Sequence, residues 1–336
     1  MKNIPITFLI IALFLGIGCN KKEELVSTEF NGFVNISPSN TNVGALANEL
    51  KTKETINGNV YIKFYGNTFL SVLKNIKTIN GDLEITETSI TDLDFLSSLE
   101  TVTGKISITG NSNFRSTKGL ENLKKAKSIV FIGRNETIDL FPIQNVAVLG
   151  DFSLRYISND AFPFFKNIVN LSGYLMITNT NIKDLKCLSS LKTVGNTTEI
   201  GSNNNLMDLE GLNQLERIEA NFYLRDNKNL KNLKGLDNLM VVSKELYIWS
   251  TELNSISNLS KLSTVESFSL LGTQCEKLDG LENLSNAKTI SIYANKKLTN
   301  FCALKPLLEK PLVFDRFDIS ENLQNPTAAF IKANCR

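Results

Sequence analysis

The chain has 336 residues, with 36 basic against 34 acidic side chains for a net charge of +2, and no histidine. Near-neutral charge without a polybasic stretch argues against a nucleic-acid partner. The absence of histidine removes the commonest general base and the most frequent zinc ligand together, which lowers the expectation of catalysis. Hydrophobic content of 42% and charged content of 21% are ordinary for a folded soluble protein.

Residues 1–18 read as an export signal: Lys2, an apolar core from Ile4 to Ile17, then small residues before Cys19. That core is shorter than the ~20 apolar residues that span a bilayer. Gly16-Ile17-Gly18-Cys19 resembles the lipobox of bacterial lipoproteins, departing from it at Gly16, where leucine is commoner. The resemblance implies an acylated Cys19 and a membrane partner reached through that lipid. An ordinary signal peptide with an incidental cysteine is the alternative. Asn20-Lys21-Lys22-Glu23-Glu24 resembles the lysine-plus-acidic signal of Bacteroidota lipoproteins, implying an outer-membrane protein exposed at the cell surface; a solvated tether would look similar.

Residues 19–55 are expected to form the lipidated tether and an N-terminal cap. Ser37–Asn42 reads as loop, Ala45–Leu50 as a turn of helix, and Phe33-Val34-Asn35-Ile36 as an irregular first rung. From residue 56 an apolar-x-apolar pair recurs: Val60/Ile62, Leu83/Ile85, Ile106/Ile108, and on to Phe317/Ile319. Between the second residues of successive pairs the steps are six of 23, then 24, 24, 22, 22 and 27. A fixed period of this size marks a solenoid, and each pair marks a short strand with one face buried. Strands stacked at constant period are parallel, so the expected architecture is about 12 rungs carrying one long sheet: a repeat solenoid over 56–297 and a capping repeat over 298–336.

Three residues after a strand's second apolar position there is usually Asn (Asn111, Asn203, Asn227, Asn295, Asn322) or Thr (Thr88, Thr180, Thr251, Thr273). Turned inward, these side chains would bond backbone groups that leave the sheet. A set phrase then recurs between strands: Gly119-Leu120-Glu121-Asn122-Leu123, Gly211-Leu212-Asn213-Gln214-Leu215, Gly235-Leu236-Asp237-Asn238-Leu239 and Gly280-Leu281-Glu282-Asn283-Leu284. These units resemble leucine-rich repeats, and more closely the receptor L-domain type of bacterial surface lipoproteins, over about residues 56–336. The resemblance implies a right-handed coil, α/β or mainly β, and a non-catalytic binding or adhesion function. Asp151–Asn170 departs most, and a bulge or local loop is expected there.

The end of the chain resembles the terminal unit of the same bacterial group. Cys302 and Cys335 fall on adjacent rungs of an exported protein, so they are expected to pair as a disulfide, two buried thiols being the alternative. Cys187 and Cys275 lie four rungs apart, too far to join each other.

Alternation assigns the residues between and after each apolar pair to the exposed sheet face, among them Ser107, Val130, Ser153, Thr178 and Ser269. Tyr223, Arg225, Tyr247, Trp249, Leu271 and Tyr293 crowd four consecutive rungs there, and Trp249 is the single tryptophan of the chain. These types dominate binding hot spots, so the six residues are the candidate site for an extracellular protein or glycan. Strand propensity alone is the competing explanation. A parallel β-helix polysaccharide-degrading enzyme would need acid and base groups within reach of one bond, yet Glu84, Glu199 and Asp318 are far apart in rung order. A purely structural envelope protein is the other alternative. No cofactor or metal is implied.

Overall fold

A computed structural model describes residues 27–64, 67–249 and 252–335. The export segment with Cys19, the signal at 20–24 and Thr251 lie outside the described residues. Among the described residues, 20 strands join in one sheet, and every pairing is parallel. Each apolar pair lands on its expected partner: Leu83 opposite Ile106 and Ile85 opposite Ile108, then Phe222 opposite Leu246 and Leu224 opposite Ile248. A second run of short strands, such as Thr193–Val194 against Arg217–Ile218, precedes the main one. Long strands such as Val241–Trp249 carry both runs continuously.

The rungs begin earlier than the periodic stretch itself. Val34–Ile36 pairs in register with Val60–Ile62, and the helix Val43–Leu50 turns Val43, Ala47 and Leu50 inward. Ile36, Ile62, Ile85, Leu93, Leu96 and Leu99 are fully buried, and their counterparts continue one apolar core along the coil until the last rung, where Phe317 and Ile319 are only partly buried. No single rung dries its own leucines; each side chain is covered by the rungs before and after it. Opposite the sheet, single turns such as Asp94–Leu96 and Lys186–Leu188 bury Phe95 and Cys187 at equivalent places.

The asparagine column works as a ladder between rungs. Asn203 Oδ1 accepts from the Thr180 backbone N–H at 3.0 Å and from Thr180 Oγ1 at 2.7 Å, while its Nδ2 donates to the Ile177 carbonyl at 2.8 Å. Asn111, between Thr88 and Ile85, and Asn295, between Thr273 and Leu270, repeat the arrangement. The residue just before the ladder position has a left-handed backbone: Glu87, Asn179, Ser202, Asp226, Ala294 and Glu321, with φ between 51° and 58°. Only two of these rungs, at Gly110 and Gly272, use glycine, so composition does not advertise the kink that swings the chain off the sheet.

The Gly-Leu phrase has a physical reason. Gly119, Gly211, Gly235 and Gly280 have φ between +100° and +118° and lie against the backbone of the preceding rung. The side chain two residues on folds back to accept the glycine N–H: Glu121 at 2.8 Å, Asn213 at 3.1 Å, Asp237 at 3.0 Å, Glu282 at 2.7 Å.

At Asp151–Asn170 the register shifts between Arg155 and Ile157, and Phe165 fills the core against Phe152, ring centroids 5.1 Å apart. At the other end Cys302 and Cys335 form a disulfide with Cα atoms 5.2 Å apart across 33 residues. Closing a loop of that length stabilises by about 3–4 kcal/mol in the chain-entropy account. The helix Ala328–Asn334, capped by Thr327, covers the last rung, and Lys305 Nζ donates to the Cys335 carbonyl at 2.7 Å. Cys187 and Cys275 are free and buried, their thiols pushed up to about 12 and about 11 chiefly by desolvation.

Candidate ligand-binding site

The exposed sheet face is less open than alternation predicts. Ser107, Val130, Ser153, Thr178 and Ser269, expected to face solvent, retain between 0% and 8% of their exposure. Rungs stand ~4.8 Å apart, so a short side chain beside a longer one is roofed by its neighbour. Ser153, for example, sits between Val130 and Met176. Val130, flanked by Ser107 and Ser153, is buried without such a roof. Outward direction and accessibility are therefore different properties on this sheet.

Register then sorts the six candidate residues into two rows. Tyr223 lies opposite Tyr247, and Arg225, Trp249, Leu271 and Tyr293 follow one another on four adjacent strands. The tyrosine rings meet edge to face, centroids 6.2 Å apart at 75°, a favoured aromatic geometry. Trp249 and Tyr293 are 39% and 38% exposed, and Tyr223, Tyr247 and Leu271 are half-buried.

Four of the six converge. Tyr223, Arg225, Tyr247 and Trp249 line a groove of ≈ 370 Å³ together with Glu199 and Glu245. Leu271 continues the row beside Trp249, and Tyr293 stands one rung further, outside the groove. The nearby Glu321 carboxylate raises the Tyr293 pKa, so this ring's polar end faces the cap side rather than the groove.

The two glutamates were not among the sequence candidates. Glu199 belongs to the outward middle row, opposite Tyr223, with Arg225 two positions further along that adjacent strand. Glu245 comes just before the apolar pair of its strand, a position the alternation argument did not count. The signal available for it was its place at the same offset as Asn221 on the preceding rung, whose Oδ1 accepts the Glu245 N–H at 3.3 Å.

Arg225 reaches one oxygen of Glu199 with both Nε, at 3.0 Å, and Nη2, at 2.5 Å. That bond holds the guanidinium above its ordinary pKa. Glu245 Oε1 accepts from Ser269 Oγ at 3.1 Å. The hydroxyls of Tyr223 and Tyr247 are both raised, first by desolvation and next by the nearby Glu245 charge. They are phenols at neutral pH, donors and aromatic surface rather than nucleophiles.

Among the described residues no group of three or more His, Cys, Asp or Glu is placed to hold a metal ion. None of their helices is long and apolar enough to cross a membrane.

A parallel-sheet solenoid with inward leucines, an asparagine ladder and an aromatic groove on its outer face defines a leucine-rich-repeat-like protein. The sequence model of the receptor L domain family matches residues 28–138, 77–167 and 146–234. These matches span more than half of the chain, and the protein belongs to the receptor L domain family. It is also similar to a crystal structure of an internalin (inlF) from Listeria monocytogenes, with a TM-score of 0.47 and 14% identity over 86% of this chain and 87% of that one. No curated protein matches the chain.

Proposed function

We propose that this is a non-catalytic binding protein, tethered to the outer membrane by a lipid on Cys19, that holds an extracellular protein or glycan against its exposed sheet face. The observation that carries the reading is the groove, in which Tyr223, Arg225, Tyr247 and Trp249 converge on a rigid support. A surface built on strands fixed by ladder hydrogen bonds loses little conformational entropy when a ligand docks. Large flat rings contribute contact area at few rotatable bonds. Membership of the receptor L domain family supports a binding role.

The test begins with an array of glycans and a pull-down against extracellular proteins, using the full mature chain. Against whatever ligand emerges, Tyr247→Ala with Trp249→Ala weakens binding about 30-fold or more, as loss of a hot-spot pair does. Unchanged affinity with an intact circular dichroism spectrum would overturn this reading. For the anchor, Cys19→Ser abolishes incorporation of labelled fatty acid and moves the protein out of the membrane fraction; retained label sinks the lipoprotein assignment.

A further inference from the structure

Within the groove, charge and ring geometry narrow the ligand further than the sheet face alone. The groove holds one cation, Arg225, and it is already spent on Glu199, to which it donates twice. Glu245 on the other side has a neutral partner, the Ser269 hydroxyl, and forms no ion pair with a lysine or arginine among the described residues. The groove therefore carries one carboxylate without a cation, set beside two tyrosine rings and the exposed indole of Trp249. Ring faces carry the negative end of the aromatic quadrupole and attract a cation within about 6 Å of the centroid. Leu271, half-buried next to Trp249, extends the rim with aliphatic surface suited to a methylene chain.

An anionic ligand would meet Glu199 and Glu245 with no free cation to offset them. A neutral sugar would use the rings and leave the uncompensated charge unexploited. A flexible alkyl chain ending in a positive charge uses every part at once. We infer that the groove receives a lysine or arginine side chain presented by a partner protein, its charged end between Glu245 and the Tyr223–Tyr247 pair and its stem along Trp249 and Leu271. This rests on the reading of the sheet face as the binding surface and specifies what the partner must present.

The single tryptophan makes the site self-reporting. Titration of the whole mature protein with Nα-acetyl-lysine amide, or the arginine equivalent, gives a saturable change in Trp249 fluorescence. The uncharged Nα-acetyl-norleucine amide, equal in stem but lacking the charge, binds at least about fivefold more weakly. Glu245→Gln, which keeps shape and the Ser269 contact, weakens the cationic amides about tenfold, and raising salt weakens them in the parent protein by screening. Equal binding of the norleucine amide, an unaffected Glu245→Gln variant, or no fluorescence response overturns the inference. A response to methyl glycosides in place of the cationic amides also overturns it, while leaving the sheet face as the binding surface. Conversely, if the amides bind as stated but Tyr247→Ala with Trp249→Ala leaves macromolecular capture unchanged, the proposed function falls and the cation site stands.

Discussion

Asn203→Ala lowers the unfolding free energy by about 4 kcal/mol, with no change in any surface property of the protein. The asparagine is fully buried and ties its own rung to the preceding one, satisfying the Thr180 N–H, the Thr180 hydroxyl and the Ile177 carbonyl there. Alanine leaves these groups buried without partners, and each such orphan costs about 1–3 kcal/mol. Its own N–H stays bonded to Asn227 Oδ1 at 3.0 Å, so the next step of the ladder survives. Asn80→Ala provides the comparison: its amide bonds Asn57 at 2.8 Å in a solvent-exposed ladder, where water replaces the lost partner and the cost stays below about 0.5 kcal/mol. Urea denaturation of the two variants side by side checks the pair. A loss below about 1 kcal/mol for Asn203→Ala would mean that the ladder is decoration on a coil held by leucines alone.

Gly211→Ala is expected to destabilise by about 3 kcal/mol or more. At φ +118° the new methyl would stand 2.0 Å from the Leu185 carbonyl oxygen and 2.1 Å from its carbon. The obstacle is backbone of the preceding rung, and that backbone is itself bonded onward: the Leu185 N–H donates to the Glu210 carbonyl at 2.8 Å. No rotamer change relieves such a clash, so two rungs must separate or the turn must open. Gly272→Ala isolates the conformational part of the effect. It has φ +61° and nothing within 4 Å, so only the left-handed backbone is penalised, by about 1–2 kcal/mol. Thermal melts of both variants separate steric from conformational cost, and equal shifts would refute the steric account.

Both experiments concern features that the amino-acid pattern announces without explaining. The glycine of the Gly-Leu phrase is visible by repetition, yet nothing in the phrase says that it faces a backbone carbonyl of the preceding rung, Leu185 in the case of Gly211 and Ile256 in the case of Gly280. The Asn/Thr column is equally visible, and its inward role follows from the need to satisfy peptides that leave the sheet. Which group each asparagine reaches was settled only by stacking. The left-handed residues before the column went unread, because Glu, Ser, Asp and Ala occupy that backbone where glycine would have signalled it.

The groove divides in the same way. Tyr223, Arg225, Tyr247 and Trp249 were legible as outward-facing aromatic and arginine positions on consecutive rungs. Glu199 and Glu245 were not, since a carboxylate on a strand reads as an ordinary solvated residue until a register places rings beside it. Tyr293 went the other way, legible as a candidate but positioned toward Glu321 and outside the groove.

Period and alternation alone determined the solenoid, its parallel sheet and the strand register. Those features depend on spacing along one chain, and a repeat contacts only its neighbours, so local pattern suffices. The disulfide-closed cap followed from adjacent-rung cysteines together with the export signal and a resemblance of the terminal unit. Tertiary structure decided which outward residues stay accessible and which of them meet in one groove. It also decided that Glu245 is left without a cation there. Accessibility and charge balance depend on side chains from three or four rungs at once, separated by some 23 residues each, and no window along the sequence contains them together.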